Sequence, residues 1–422
     1  MGNGSRNIHD LPVGHIDFCQ ICGSKNLQQV VDMGFMAPCD SLLTLPMLKQ
    51  SERTYPLNVV RCRSCGLVQL DYAVDGKELF YPDYPYRSGI TETLKKNLHG
   101  LSVHVEKKLA LPIGALVVDI GSNDGTILEG FKSRGMRALG VEPTKIAKIA
   151  IENGIDTMNE FFSVDVARRI VERYGQASLV TAANVFAHVN ELGILMEGVG
   201  CLLKDGAVFI SESHYQLDIL QTLQYDSIYH EHLRFYLLKP MLKLFQDYGF
   251  TVTDVERIPN YGGSIRVYAT KGRGLPSSEN VPRLIEEEEK RGAYEDAIYD
   301  EFRRRIEDSR KKIRSLLVRL NDDGKTVVGV GCPGRSATFL SYCGITRDLM
   351  PYIAEQSTSL KLGMYTPGTH IPVVDEAKML AEQPDYAMIL SWHYARPIIK
   401  SLRAKGLRSK IIVPLPEVQT IS

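Results

Sequence analysis

The chain has 422 residues, 44% of them hydrophobic and 24% charged, with 35 glycines and 20 prolines. That composition belongs to a folded protein of about three cores and excludes collagen, coiled coil and general disorder. Lys plus Arg and Asp plus Glu number 50 each, so the net charge is zero and no broad attraction to nucleic acid or an anionic membrane is expected. Residues 1–16 lack the apolar stretch of a signal peptide, and no run approaches the length of a membrane span. Arg6 stands where myristoylation prefers Ser or Thr, so the cytoplasm is the expected compartment.

Four of the eight cysteines form two CxxC pairs, Cys19/Cys22 and Cys62/Cys65, each followed by glycine. Two such knuckles bring four thiolates into a tetrahedron around zinc. Cytosolic thiols stay reduced and no thioredoxin-like βαβ surrounds either pair, which disfavours a disulfide or redox pair. Four cysteines leave no open coordination position, so the zinc is expected to be structural, supporting a segment too small to bury enough core alone. Cys39, Cys201, Cys332 and Cys343 lack partner spacing and are expected to be small core residues.

The segment from Phe80 to Gly89 holds two prolines and reads as a linker. Leu94, Leu98, Leu101, Val105 and Leu109 keep helical spacing, predicting a helix over 91–110. Residues 115–120 read as a buried strand, followed by a glycine turn and a helix to Arg134. Strands are then expected at 138–142, 178–183, 207–211, 251–256 and 265–269, with a helix over 145–153 and the last two strands as a hairpin-like pair. Ile298, Phe302, Ile306, Ile313, Leu317 and Leu320 place one or two amphipathic helices in the charged stretch 281–320. Alternation restarts at 326–331, with further strands near 388–390 and 410–413. The expected class is α/β in three domains: a zinc domain (1–80), a central Rossmann-like domain (81–280), a helical connector (281–320) and a smaller C-terminal Rossmann-like domain (321–422).

Asp119-Ile120-Gly121-Ser122-Asn123-Asp124-Gly125 is DxGxxxG, not the GxGxxG that lets a pyrophosphate approach a helix N-terminus. S-adenosylmethionine has no phosphate, and acids beside a glycine turn suit its amino-acid end and sulfonium. Glu142, ending the second strand, is expected to accept both ribose hydroxyls. A second concentration of chemistry is Tyr229-His230-Glu231-His232, in which the histidines are two apart and so cannot form a zincin helix. A histidine beside a carboxylate suits a general base near neutral pH. His188 follows the strand at 178–183, where doubly wound sheets face their ligands.

In order along the chain, the cysteine pairs, Tyr84-Pro85-Tyr86, Ile120 to Gly125, Asn184 to His188, Tyr225 to His232 and Gly262-Gly263-Ser264-Ile265-Arg266 resemble the sugar C-methyltransferases that act on nucleotide-linked 4-keto deoxysugars. The resemblance spans nearly the whole chain. It implies S-adenosylmethionine held by Asp119, Gly121, Ser122, Asn123, Asp124, Glu142 and Asn184. It also implies a dTDP- or GDP-linked sugar held by Tyr84, Tyr86, His230, Gly263, Arg266, Arg335 and Ser336, in a monomer or homodimer. The loop Gly331 to Ser336 and Tyr261 depart from the family pattern.

Methylating C3 requires a carbanion, which a C4 ketone makes accessible. His232 is the expected base, with Glu231 orienting it or meeting sugar hydroxyls, and His188, Tyr229 and Tyr86 as donors to the enolate oxygen. His230 is the rival base. Two other classes share parts of the pattern: a zinc-ribbon RNA methyltransferase, disfavoured by zero net charge, and a non-catalytic zinc scaffold, which would not need the acids and the histidines together.

Overall fold

The computed structural model describes residues 11–81 and 92–422. Its central sheet contains, in chain order, β1 (Leu116–Ile120), β2 (Arg137–Val141), β3 (Asp156–Met158), β4 (Ala177–Ala183), β5 (Leu203–His214), β6 (Phe250–Ile258) and β7 (Ser264–Lys271). The spatial order is β6-β7-β5-β4-β1-β2-β3. The strands from β3 to β5 are mutually parallel, and β7 runs antiparallel between β5 and β6. Val118 and Ile120 pack into one apolar cluster and Val117 into another. Burial on both faces explains the unbroken apolar run of β1. The strand order reverses between the parallel neighbours β1 and β4, opening a crevice at their carboxyl ends.

The helix Glu92–Leu109 covers one face of this sheet through Leu98, Leu101 and Val105. Strand β5 continues three residues past the predicted 207–211. Ser211, Glu212 and Ser213 are polar yet buried, because β5 pairs with β7 as far as His214↔Ser264 and Glu212 meets Arg266 across the ladder.

The N-terminal sheet contains Leu27–Met36, Tyr55–Cys62 and Val68–Leu70, and its fourth strand comes from far along the chain: Arg234–Phe235. At the opposite edge, Arg303 donates to the carbonyls of Val30 (2.7 Å) and Gln29 (3.0 Å). Arg303 sits on the long helix Asp296–Asp322, which follows a shorter one, Asn280–Lys290. The predicted apolar stripe on the long helix is buried in a cluster shared with Val31 and Val59 of the N-terminal sheet and Met388 of the C-terminal sheet.

The C-terminal sheet is ordered Val373–Asp375, Ile353–Glu355, Val327–Val330, Tyr386–Ile389, Lys410–Val413, Gln419–Ile421, parallel except for the last strand. Among the described residues no helix is long and apolar enough to cross a membrane.

Candidate functional site

The two CxxC knuckles meet as expected. Cys19 Sγ lies 3.5 Å from Cys65 Sγ and Cys22 Sγ 3.6 Å from Cys62 Sγ, and all four sulfurs fall within 4.8 Å of one another. Thiolates about 2.3 Å from a zinc ion have sulfur–sulfur edges of about 3.8 Å, so the cluster fits Zn²⁺ with no open position. Cys62→Ser should lower zinc toward zero per chain by metal analysis and destabilise the N-terminal sheet; unchanged metal content would refute the assignment.

At the crevice, β1 ends in the acidic turn. Gly121 has φ +68°, and a Cβ there would lie 2.4 Å from Val185, so the turns after β1 and β4 approach as only glycine permits. Asn123 and Asn184 both adopt the left-handed region, with φ of 52° and 56°. Asp119 accepts from the Thr181 hydroxyl at 2.6 Å, tying β1 to β4, and burial pushes its carboxyl up to about 7. Asp124 accepts from the Thr126 hydroxyl (2.6 Å) and backbone N–H (3.3 Å) at the start of the next helix.

Two expectations need correction here. The Ser122 hydroxyl packs toward Gly140, where a Cβ would collide with it at 2.4 Å, and its backbone N–H and carbonyl are engaged with Val141 and Gly125. Glu142 accepts from Asn123 N–H (3.0 Å), Thr144 N–H (2.9 Å) and the Thr144 hydroxyl (2.6 Å). About three of a carboxylate's four acceptor positions are therefore taken, leaving room for one ribose hydroxyl and not the bidentate pair. Asp119 and Glu142 have no ion-pair partner among the described residues, so the lip suits a cationic nucleoside. It fits S-adenosylmethionine. Glu142→Ala should weaken its binding by about 2 kcal/mol, roughly thirtyfold, in a calorimetric titration; equal affinity would move the cofactor elsewhere.

Beyond the lip, three histidines from different elements converge: His188 after β4, His214 ending β5, and His232 in the loop before Arg234–Phe235. The ring centroids of His188 and His214 each lie 4.8 Å from that of His232, edge-on. The Tyr229 ring lies over His232 at 3.9 Å. His232 Nδ1–H donates to the Ser227 carbonyl at 2.7 Å, leaving Nε2 with its lone pair free. Burial, and then the His214 and His188 charges, hold His232 well below 6.5. Burial pulls His188 down to about 4 and, with Arg335 and His188 adding to it, His214 down to about 3, so all three are neutral bases near pH 7. Arg234, fully buried, donates to the carbonyls of Val189 and Asn190, pinning the loop that carries His188.

Glu231 does not orient His232, because Ser227 already holds that nitrogen. It faces a separate wall, where Cys39 Sγ–H donates to its Oε1 at 3.3 Å. Beside them, Lys361 Nζ pairs with Asp40 at 2.9 Å and donates to the Cys332 carbonyl at 2.9 Å. Burial and then Asp40 push the Glu231 carboxyl up to about 7. Cys39 is buried, as expected, and its thiol contributes to this wall. His230 points away from the cluster: its Nε2 lies 3.3 Å from the Tyr55 carbonyl, against the N-terminal sheet. This corrects its reading as rival base and sugar contact.

Arg335 enters from the C-terminal unit and reaches Gln224 and Asp226 at 3.1 Å each and His393 Nδ1 at 3.2 Å. Trp392 Nε1–H donates to Asp226 at 2.8 Å. Neither Trp392 nor His393 was picked out from sequence, although both follow the strand Tyr386–Ile389 at a carboxyl end. Three expected sugar contacts are committed elsewhere. Arg266 is bound to Glu212 and Glu256. Ser336 donates to the Pro333 carbonyl, and a Cβ at Gly263 would overlap Asp218. Tyr84 and Tyr86 lie outside the described residues.

Comparison with known proteins agrees with this layout. Family models match a zinc binding domain over residues 19–80, a methyltransferase domain over 86–255 and a C-methyltransferase C-terminal domain over 259–416. The C-methyltransferase NovU of Streptomyces niveus is 33% identical over 412 residues, covering 96% of this chain and 97% of its own. Among solved structures, the PH0226 protein of Pyrococcus horikoshii OT3 aligns at 16% identity and TM-score 0.37, over 46% of this chain and 98% of its own. Magnesium protoporphyrin IX methyltransferase of Synechocystis PCC 6803 aligns at 12% identity and TM-score 0.35, over 47% of this chain and 99% of its own. With a relative matched over 96% of the chain and all three family models in order, the chain belongs to the S-adenosylmethionine-dependent C-methyltransferases that carry an N-terminal zinc domain.

Proposed function

We propose that the protein methylates C3 of a nucleotide-linked 4-keto deoxysugar, dTDP- or GDP-linked, in branched-sugar biosynthesis in the cytoplasm. The observation that carries this reading is His232: a neutral, largely buried imidazole with Nδ1–H fixed on Ser227 and Nε2 without a partner among the described residues. A base so placed suits removal of a weakly acidic C–H proton. In this reading Nε2 takes the proton from C3, and the electron pair passes into the C3–C4 bond and onto the ketone oxygen. When bound, S-adenosylmethionine supplies the electrophilic methyl group. The chain's own work is to align C3, to exclude water and to hold the developing charge. Tyr229, its ring tilted against His232 at 3.9 Å, confines the plane of the base, and Glu231, with one oxygen lacking a partner, is available to a sugar hydroxyl. The C-terminal unit (321–422) is proposed to hold the nucleotide, beside Arg335.

The test is mass spectrometry after incubation with S-adenosylmethionine and a panel of nucleotide-linked 4-keto sugars. Gain of one methylene on a sugar carbon next to the ketone is expected. Methylation at oxygen, or none across the panel, would overturn the reading.

A further inference from the structure

His214 has no part in the scheme above, yet it is built into the same space. It is the last residue of β5, at the carboxyl edge of the sheet, where the antiparallel partner β7 holds its backbone opposite Ser264. Its ring stands edge-on to His232 at 4.8 Å and faces Tyr261 at 5.9 Å. Among the described residues none bonds to its ring, and Nδ1 is sealed from solvent without a partner. A buried polar nitrogen left unpaired is costly, and where it stands beside the proposed base a substrate atom is one partner that can complete it. His188 lies as close to His232, but neither of its nitrogens is both sealed and unpaired.

We infer that His214 is a catalytic residue, the neutral N–H donor that holds the ketone oxygen while it becomes an enolate. The inference rests on the proposed reaction. The proton removed and the oxygen that receives charge sit on adjacent carbons. A base and a donor, each within a hydrogen-bond reach of about 2.6–3.2 Å, must therefore stand a few ångströms apart, as these two rings do. Burial keeps His214 neutral, so it donates without competing for the proton that His232 takes, and a fixed donor in a dry site needs no reorganisation as charge develops. The balance closes within the site. The C3–H bond breaks, its proton goes to His232 Nε2, and its electron pair becomes the C3–C4 π bond while the carbonyl π pair moves onto the oxygen bonded by His214. The carbonyl then re-forms, the C3–C4 π pair makes the new C–C bond to the methyl carbon as the pair of the sulfur–methyl bond leaves with sulfur, and His232 releases its proton to solvent.

The experiment compares wild type, His214→Phe, His214→Gln and His188→Phe. Methyl transfer is measured together with solvent-deuterium exchange at the carbon beside the ketone in the presence of S-adenosylhomocysteine. Zinc content and S-adenosylhomocysteine affinity report the fold. His214→Phe should lower both kcat and exchange about 10²- to 10³-fold with KM within threefold, and His214→Gln, which keeps an N–H donor, should recover at least tenfold. If phenylalanine does not fit, His214→Asn and His214→Leu, alike in size and differing in the donor, answer the same question by the same tenfold criterion. Rates within threefold of wild type in His214→Phe, a loss confined to KM, failure of the donor variant to recover, or the expected loss appearing in His188→Phe instead would overturn the inference alone. A wild-type enzyme that neither exchanges nor methylates any ketosugar would overturn the proposed reaction and this inference with it.

Discussion

Replacing His232 with alanine should slow methyl transfer by about 10²- to 10⁴-fold, the range that a positioned general base contributes. The geometry makes the expectation specific. Ser227 fixes the tautomer and Tyr229 the plane, so no other side chain can move into the same position without displacing both. Exchange of the carbon-bound proton for solvent deuterium, followed with S-adenosylhomocysteine in place of the methyl donor, isolates the base step. Exchange should vanish in His232→Ala while zinc content and cofactor affinity hold. His230→Ala should exchange within a few-fold of wild type, since its ring is turned to the Tyr55 carbonyl. Exchange surviving in His232→Ala would disprove the role. The pH profile adds a sign. A base held well below 6.5 stays unprotonated as pH falls through 6.5, so wild-type kcat/KM should show no acidic limb there from this group. A limb near 6.5 that disappears in His232→Ala would mean the site is wetter than described.

The second large effect is structural. Lys361→Met should destabilise the fold by about 3–5 kcal/mol, because it removes one partner of a buried ion pair and leaves the other charge in place. Lys361 and Asp40 are only 14% and 8% exposed, and the ammonium also satisfies the Cys332 carbonyl. Burial works against the charged lysine, but Asp40 together with Cys332 and Cys39 outweighs it and holds the pKa above 10.5. A urea melt measures the loss. Adding Asp40→Leu to Lys361→Met should restore part of it, as expected when the penalty is the stranded carboxylate. A single-variant loss below about 1 kcal/mol would show that the pair is solvated after all.

Much of this was legible in the chain. The apolar runs of β1 and β4 announce strands buried on both faces, and the two cysteine knuckles carry their own geometry. What was missed follows from two physical causes. The first is burial of polar residues: β5 was expected only over 207–211, whereas its partners on β7 keep Glu212, Ser213 and His214 in the ladder as well. That shortening concealed His214. The second is that adjacency in sequence does not set direction. Glu231 sits next to His232 and was expected to orient it, but consecutive side chains in the loop diverge, one to Cys39 and the other into the histidine cluster. The rule that singled out His188, a position just past a strand's carboxyl end, would also have found Trp392 and His393 had it been applied to the last sheet.

The first three strands of the N-terminal sheet leave the ribosome long before the segments that finish it. One edge waits for Arg234–Phe235 and the other for Arg303, both encoded far downstream. At 5–20 residues per second, on the order of ten seconds separates synthesis of Leu70 from that of its partner strand. Through that interval the nascent module presents unpaired strands rich in valine and leucine, the kind of edge that recruits other chains. Metal capture can gather the knuckles early, but it cannot close either edge. A translation product cut short before residue 234 would therefore be metal-loaded and adhesive at once, a substrate for chaperones rather than a free-standing domain.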